Sequence, residues 1–192
     1  MPVALTLLIA ACDAPRDRAM GSVPGPQAAF WSQLGTLCGK AFGGRVTESV
    51  PPDTVMTREP LVMHVRECSG DTIRVPFHVG SNRSRTWVFT RTATGIRLKH
   101  DHRHEDGVPD SVTQYGGDTH DSGEPDRQEF YADSLTAAVI PAARTNVWTI
   151  ELQPGRLFVY ALRREGSTRT FRAEFDLTAA VDTPPPPWGA RR

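Results

Sequence analysis

Neither sign of charge is in excess in this chain: Lys+Arg and Asp+Glu number 22 each, and the formal net charge is zero. Without a net field there is no general attraction for nucleic acid or for an anionic membrane surface. The chain also contains no Gly-x-Ser-x-Gly elbow, Walker loop or dinucleotide fingerprint. Sequence support for an α/β-hydrolase, a P-loop NTPase or a Rossmann enzyme is therefore absent. Cysteine is scarce, with three in 192 residues and no Cys-x-x-Cys pair, which argues against thiol redox catalysis. Long helical stretches are scarce too, since 16 Gly and 16 Pro punctuate the chain. Parallel strands need crossovers of a dozen residues or more, so a parallel sheet is excluded.

What remains is enough for one core. Hydrophobic residues make up 39% of the chain, which suits a single domain with short appendages. In "QAAFWSQLGTLCGKAFGG", Trp31, Leu34 and Cys38 recur at helical spacing, with a stop expected at Gly43-Gly44. The period then changes to two. Leu61, Met63 and Val65 alternate with polar or less apolar positions, as do Ile73, Val75, Phe77 and Val79. "TWVFTRTATGIRLKH" reads as a hairpin turning at Thr94-Gly95. "NVWTIELQPGRLFVYALRREGSTRTFRAEFDL" reads as a three-strand meander with turns at Gln153-Pro154-Gly155 and Glu165-Gly166-Ser167. Adding "GRVTESV" and the weaker "SVTQY" and "LTAAVI" gives on the order of eight to ten strands, all antiparallel.

The fold class is thus mainly β, and such a sheet must close or double over to hide its edges. One N-terminal helix beside an up-and-down meander resembles the calycin type of barrel, as in lipocalins, over roughly residues 27–177. The lipocalin Gly-x-Trp motif is absent, so the resemblance is one of architecture. A β-sandwich is the alternative.

The start of the chain, "MPVALTLLIAAC", is a short apolar run ending in small residues, too short for a permanent membrane span. It resembles a bacterial lipoprotein signal, with Ile9-Ala10-Ala11-Cys12 as the lipobox, although no Lys or Arg precedes the apolar run. The resemblance implies a signal peptide at 1–11 and acylation of Cys12. It also implies an exported protein held at the lipid membrane on the extracytoplasmic side, in the cell envelope or periplasm. Residues 12–26, polar and rich in Pro and Gly, suit a flexible tether. Cys38 and Cys68 remain as a pair, which in an oxidising compartment is most simply one disulfide; two buried thiols are the alternative. Residues 178–192, with four consecutive prolines, are expected to form a disordered extended tail.

The candidate chemistry lies in "IRLKHDHRHEDG", residues 96–107. On a strand Ile96, Leu98, His100, His102 and His104 share one face, so the histidines continue the apolar side and point toward a barrel's mouth or cavity. Adjacent imidazoles two residues apart can both reach one ion, whereas His100 and His104 would stand about 13 Å apart. A divalent transition metal such as zinc would therefore use one adjacent pair and recruit further ligands from the following loop. Asp106 and His120 are the main candidates, with Glu105, Asp110, Asp118 and Asp121 also in reach. Cross-strand charge pairing without any ion is the plainer account. A calcium site in the acidic loop fails the EF-hand spacing. Arg83, Arg85, Arg91, Arg97 and Arg103 cluster with Trp87 in one hairpin and offer an anion-binding alternative.

Three function classes follow. The first is a non-catalytic binding protein, a lipid-anchored β-barrel presenting a cavity to a small-molecule ligand or metal ion. The second is a metal-dependent hydrolase using the His100, His102 and His104 cluster. The third is an envelope scaffolding protein with no site.

Overall fold

A computed structural model describes residues 25–190. The signal 1–11, the lipidation site Cys12 and nearly all of the tether lie outside the described residues.

The period-2 stretches become β1 (Ala41–Val50), β2 (Leu61–His64), β3 (Glu67–Cys68), β4 (Thr72–Val79), β5 (Asn82–Arg91), β6 (Ile96–His102), β7 (Tyr115–Asp118), β8 (Arg127–Ala132), β9 (Asn146–Gln153), β10 (Leu157–Arg164) and β11 (Thr170–Asp176). Their hydrogen-bonded order is β2-β1-β11-β10-β9-β8-β7-β6-β5-β4-β3. An additional β2–β4 pairing, with Leu61 opposite Val79 and Met63 opposite Phe77, joins the two ends. The result is a closed antiparallel barrel of ten strands, with β3 a short flap on β4. Closure removes the edges that a sandwich would leave, and decides between the two architectures expected from the sequence.

Inside the barrel, side chains alternate as the pleat requires. Ile73, Val75, Phe77, Trp87, Phe89, Ile96, Leu98, Trp148, Ile150, Phe158, Ala173 and Phe175 are all 2% exposed or less and form one continuous core. One end is plugged by α1 (Gly25–Gly35), which buries Phe30 and Leu34. Gln27 also turns inward and donates to Thr119 Oγ1 (2.8 Å) and the Asp121 carbonyl (2.7 Å).

Several expected elements differ in the structure. The helix does not run to Gly43-Gly44: it ends at Gly35, and the chain turns at Gly39, whose φ of 80° suits glycine. Ala41–Gly44 instead opens β1, where Gly44 faces Phe175 across the ladder. A side chain at Gly44 would run into the Phe175 ring and the Glu174 carbonyl, so this glycine permits close strand packing rather than ending a helix. "LTAAVI" is α3 (Ser134–Val139), not a strand, because Asp133 caps it by accepting from the Thr136 N–H at 2.9 Å and Ala-Ala favours helix. Of "SVTQY" only Tyr115 is in a strand. A second short helix, α2 (Thr54–Arg58), is capped by Asp53, which accepts from the N–H groups of Val55 and Met56.

The disulfide forms. Cys38, just after α1, bonds to Cys68 on β3 with a Cα separation of 6.3 Å, closing a loop of 30 residues. Loop-closure entropy puts its contribution at about 3.5 kcal/mol.

The proline-rich segment 178–192 does not leave the domain as far as residue 190. Val181 bridges Ala41. Arg83 donates from Nη1 to the Pro186 carbonyl (2.9 Å) and accepts at its own carbonyl from the Trp188 N–H (3.1 Å). Residues Pro184, Pro185 and Trp188 thereby line one groove on the outer wall together with His78 and Val62. Prolines donate no hydrogen bonds, so they cannot add a strand, but they cover apolar wall at little entropic cost.

Candidate functional site

The end of the barrel opposite α1 is not filled. It holds a cavity of about 220 Å³ between β5, β6, β9, β10 and β11, rimmed by α2 and the α3 segment. Its floor is aromatic. Trp87 stacks on Tyr160 (centroids 4.5 Å, 11°) and on Phe77 (4.8 Å, 17°), and His100 stacks on Tyr115 (4.5 Å, 8°) with Trp148 at 5.2 Å.

Strand register places these groups. His102 and His100 on β6 stand opposite Arg85 and Trp87 on β5. Trp148 on β9 stands opposite Leu162 on β10, and Asn146 opposite Arg164. Each pair points inward, so one end of the barrel carries a layer of rings with a layer of polar groups above it.

His100 is 3% exposed, and both ring nitrogens are engaged. The Tyr115 carbonyl can only accept, so Nδ1 carries the proton and donates to it at 3.1 Å. Nε2 is then the acceptor, and the Tyr160 hydroxyl donates to it at 2.8 Å. Tyr115 Oη and His102 Nε2 lie 3.1 Å apart. Burial removes the charged forms throughout this network. It lowers His100 to about 3, lowers His102 to about 4 with help from Arg85, and pushes the Tyr115 phenol up to about 12. Burial likewise holds Tyr160 well above the usual phenol range. At neutral pH all four rings are neutral.

The candidate metal ligands separate in the structure. His100 and His102 reach the cavity together. His104 lies beyond the end of β6 and is exposed. Asp106 sits in the next turn, also exposed, its carboxylate accepting from the Val108 N–H at 2.9 Å. Asp110 likewise accepts from the Val112 N–H. His120 is at the other end of β6, exposed and stacked on Tyr131 at 4.1 Å. Asp118 pairs with Arg97 outside the barrel. Among the described residues no three His, Cys, Asp or Glu side chains converge, and His100 would have to give up Tyr160 or Tyr115 to bind an ion.

The opposite face of β6 carries charge pairing: Arg97 with Asp118 across the β6–β7 ladder, Lys99 with Asp133 at the cap of α3, and Arg103 with Asp101 along the same stretch of chain. The five-arginine hairpin cluster divides accordingly. Only Arg85 of the five lines the cavity; Arg91 lies over Trp31, and Arg83 holds the C-terminal segment.

Tyr115, Asn146, Trp148, Tyr160, Arg164 and Arg169 complete the site and were not singled out from the sequence. A signal for two of them was present. Phe158, Tyr160, Leu162 and Arg164 share one parity on β10, and polar groups continuing an apolar face mark a wet cavity, as the histidines do on β6. No protein-family model matches the chain, and no curated protein or solved structure matches it significantly.

Proposed function

We propose that this protein is a non-catalytic binding protein that holds a small molecule in the open end of its barrel, tethered by acylated Cys12 to the extracytoplasmic side of a membrane. The observation that carries the reading is the cavity itself: about 220 Å³ walled by Trp87, Trp148, Tyr115 and Tyr160 and left open at the rim. An engineered cavity of about 150 Å³ takes up benzene in another protein, so this one suits a single ring with small substituents. Flat aromatic walls with a few convergent polar groups are the usual chemistry of a small-ligand pocket.

The acid–base properties support binding over catalysis. A general base works best near the operating pH, whereas burial keeps His100 near 3 and His102 near 4. Both nitrogens of His100 are also committed to the fold. The disulfide is compatible with an exported protein, and the lipobox resemblance at Cys12 supports the anchor.

The test is a screen of single-ring compounds by tryptophan fluorescence and ligand-observed NMR. The comparison is with Leu162→Trp, which fills the cavity from its wall. Saturable binding to the wild-type chain that disappears in an equally folded Leu162→Trp variant is the expected result. No binding to the wild type, or binding that the filled cavity does not disturb, would overturn the reading.

A further inference from the structure

The cavity has a charge that the whole molecule lacks. Arg85, Arg164 and Arg169 line it, and among the described residues none of the three has a carboxylate partner. On the barrel's outer surface several arginines are paired, Arg97 with Asp118, Arg127 and Arg163 with Glu129, and Arg172 with Glu151 and Glu174, while others such as Arg58, Arg144 and Arg156 stand singly without a carboxylate partner among the described residues. What sets the cavity apart is the gathering of three such guanidiniums on one wall that carries a single carboxylate, Asp53.

The neighbours of these arginines position them without neutralising them. Arg164 Nε donates to Asn146 Oδ1 at 2.8 Å. Arg85 Nη1 donates to Asn82 Oδ1 at 3.2 Å and to Ser84 Oγ at 3.3 Å. Each guanidinium has five N–H donors, so most remain for another acceptor. Arg164 and Arg169 are brought together by the β10–β11 hairpin, where the Arg164 N–H donates to the Arg169 carbonyl at 3.1 Å. Burial and the charge of Arg169 both pull the Arg164 pKa down, which is the repulsion an anion between them would relieve. The one acid on the cavity wall, Asp53, is committed to the N–H groups of Val55 and Met56.

We infer that the ligand is a single-ring oxyanion, its flat body held between the aromatic walls and its anionic head gripped at the rim by Arg85, Arg164 and Arg169. Guanidinium forks match the oxygens of a carboxylate or phosphate, and either head on one ring is of a size with the cavity. This inference rests on the binding reading and adds the ligand's charge and where it sits.

The experiment titrates the full chain with benzoate, its neutral isostere benzamide, and phenyl phosphate, each followed by calorimetry and tryptophan fluorescence. It is repeated with Arg164→Gln and Arg169→Gln. Benzoate or phenyl phosphate binding at least tenfold tighter than benzamide is expected, and whichever is tighter identifies the head. Each substitution should weaken the anion at least fivefold and leave benzamide unchanged. Arg169 is exposed on its hairpin, so Arg169→Gln keeps the test readable should Arg164→Gln unfold. Benzamide binding as tightly as the anions, or anion binding indifferent to both substitutions, would overturn the inference while the binding reading stands. Failure of all three probes, together with an empty screen of neutral rings, would remove both.

Discussion

The Tyr160 hydroxyl donates to His100 Nε2 across 2.8 Å inside the barrel, and the other ring nitrogen of that histidine is held by the Tyr115 carbonyl. A fully buried imidazole is acceptable only if both nitrogens are satisfied, so these two residues fix each other. Tyr160 in turn stacks on Trp87, which couples the polar layer of the cavity to the hydrophobic core beneath it.

Tyr160→Phe keeps the ring and its stacking but strands His100 Nε2 as a buried acceptor. Leaving such a group unpaired costs about 1–3 kcal/mol. The variant is expected to unfold at correspondingly lower urea concentration with an unchanged slope. A loss below about 0.5 kcal/mol would mean that water replaces the hydroxyl and that the pair does not organise the site.

Stability is expected to fall between pH 7 and pH 5. His100 is lowered to about 3 and His78 to about 4, in both cases chiefly by burial, against an ordinary value of 6.5. The unfolded chain therefore binds protons first as pH drops below 6.5, and native stability decreases toward acid. At pH 5 each of the two accounts for about 2 kcal/mol. Asp133, Asp110 and Asp176 sit below the ordinary carboxylate value, so protonation of these acids does not obscure the window. Urea unfolding at the two pH values measures the effect, and a flat profile would show that these histidines are protonated or solvated in the native state.

Much of the barrel could be read from alternation alone, because a strand with one buried face shows it in every second residue. β4, β5, β6 and the β9–β10–β11 meander have that property, and the inward parity of His100 and His102 followed from Ile96 and Leu98. The parts that could not be read are those where alternation is not the governing force. Tyr115-Gly116-Gly117-Asp118 forms β7 although two glycines are poor strand formers. Gly117 is there because a side chain would meet the Tyr131 carbonyl of the neighbouring strand, a tertiary fact. "LTAAVI" became a helix through a single cap from Asp133. The site was half legible for a related reason. β6 concentrates its polar residues in one run, whereas Tyr160, Arg164 and Arg169 reach the same cavity only after the barrel closes.

The C-terminal segment supplies the last prediction, because composition pointed to a free tail and the structure seats it on the wall. Two hydrogen bonds with Arg83, at 2.9 and 3.1 Å, hold residues Pro186 and Trp188. His78, which lines the same groove, is 4% exposed although it lies on the outer side of β4. Ending the chain after Thr183 removes both bonds and uncovers His78 and Val62. At about 1 kcal/mol per hydrogen bond, plus a small apolar area, the loss is expected to be about 2–3 kcal/mol. His78 should then titrate closer to its ordinary value, because burial is the largest cause of its depression. Ligand affinity should not change, since the segment lies outside the barrel and does not line the cavity. Urea unfolding and histidine NMR titration of the truncated chain check all three points. Undiminished stability with an unshifted His78 would mean that the segment does not stay on the wall in solution, and that the histidine is buried by the strands alone.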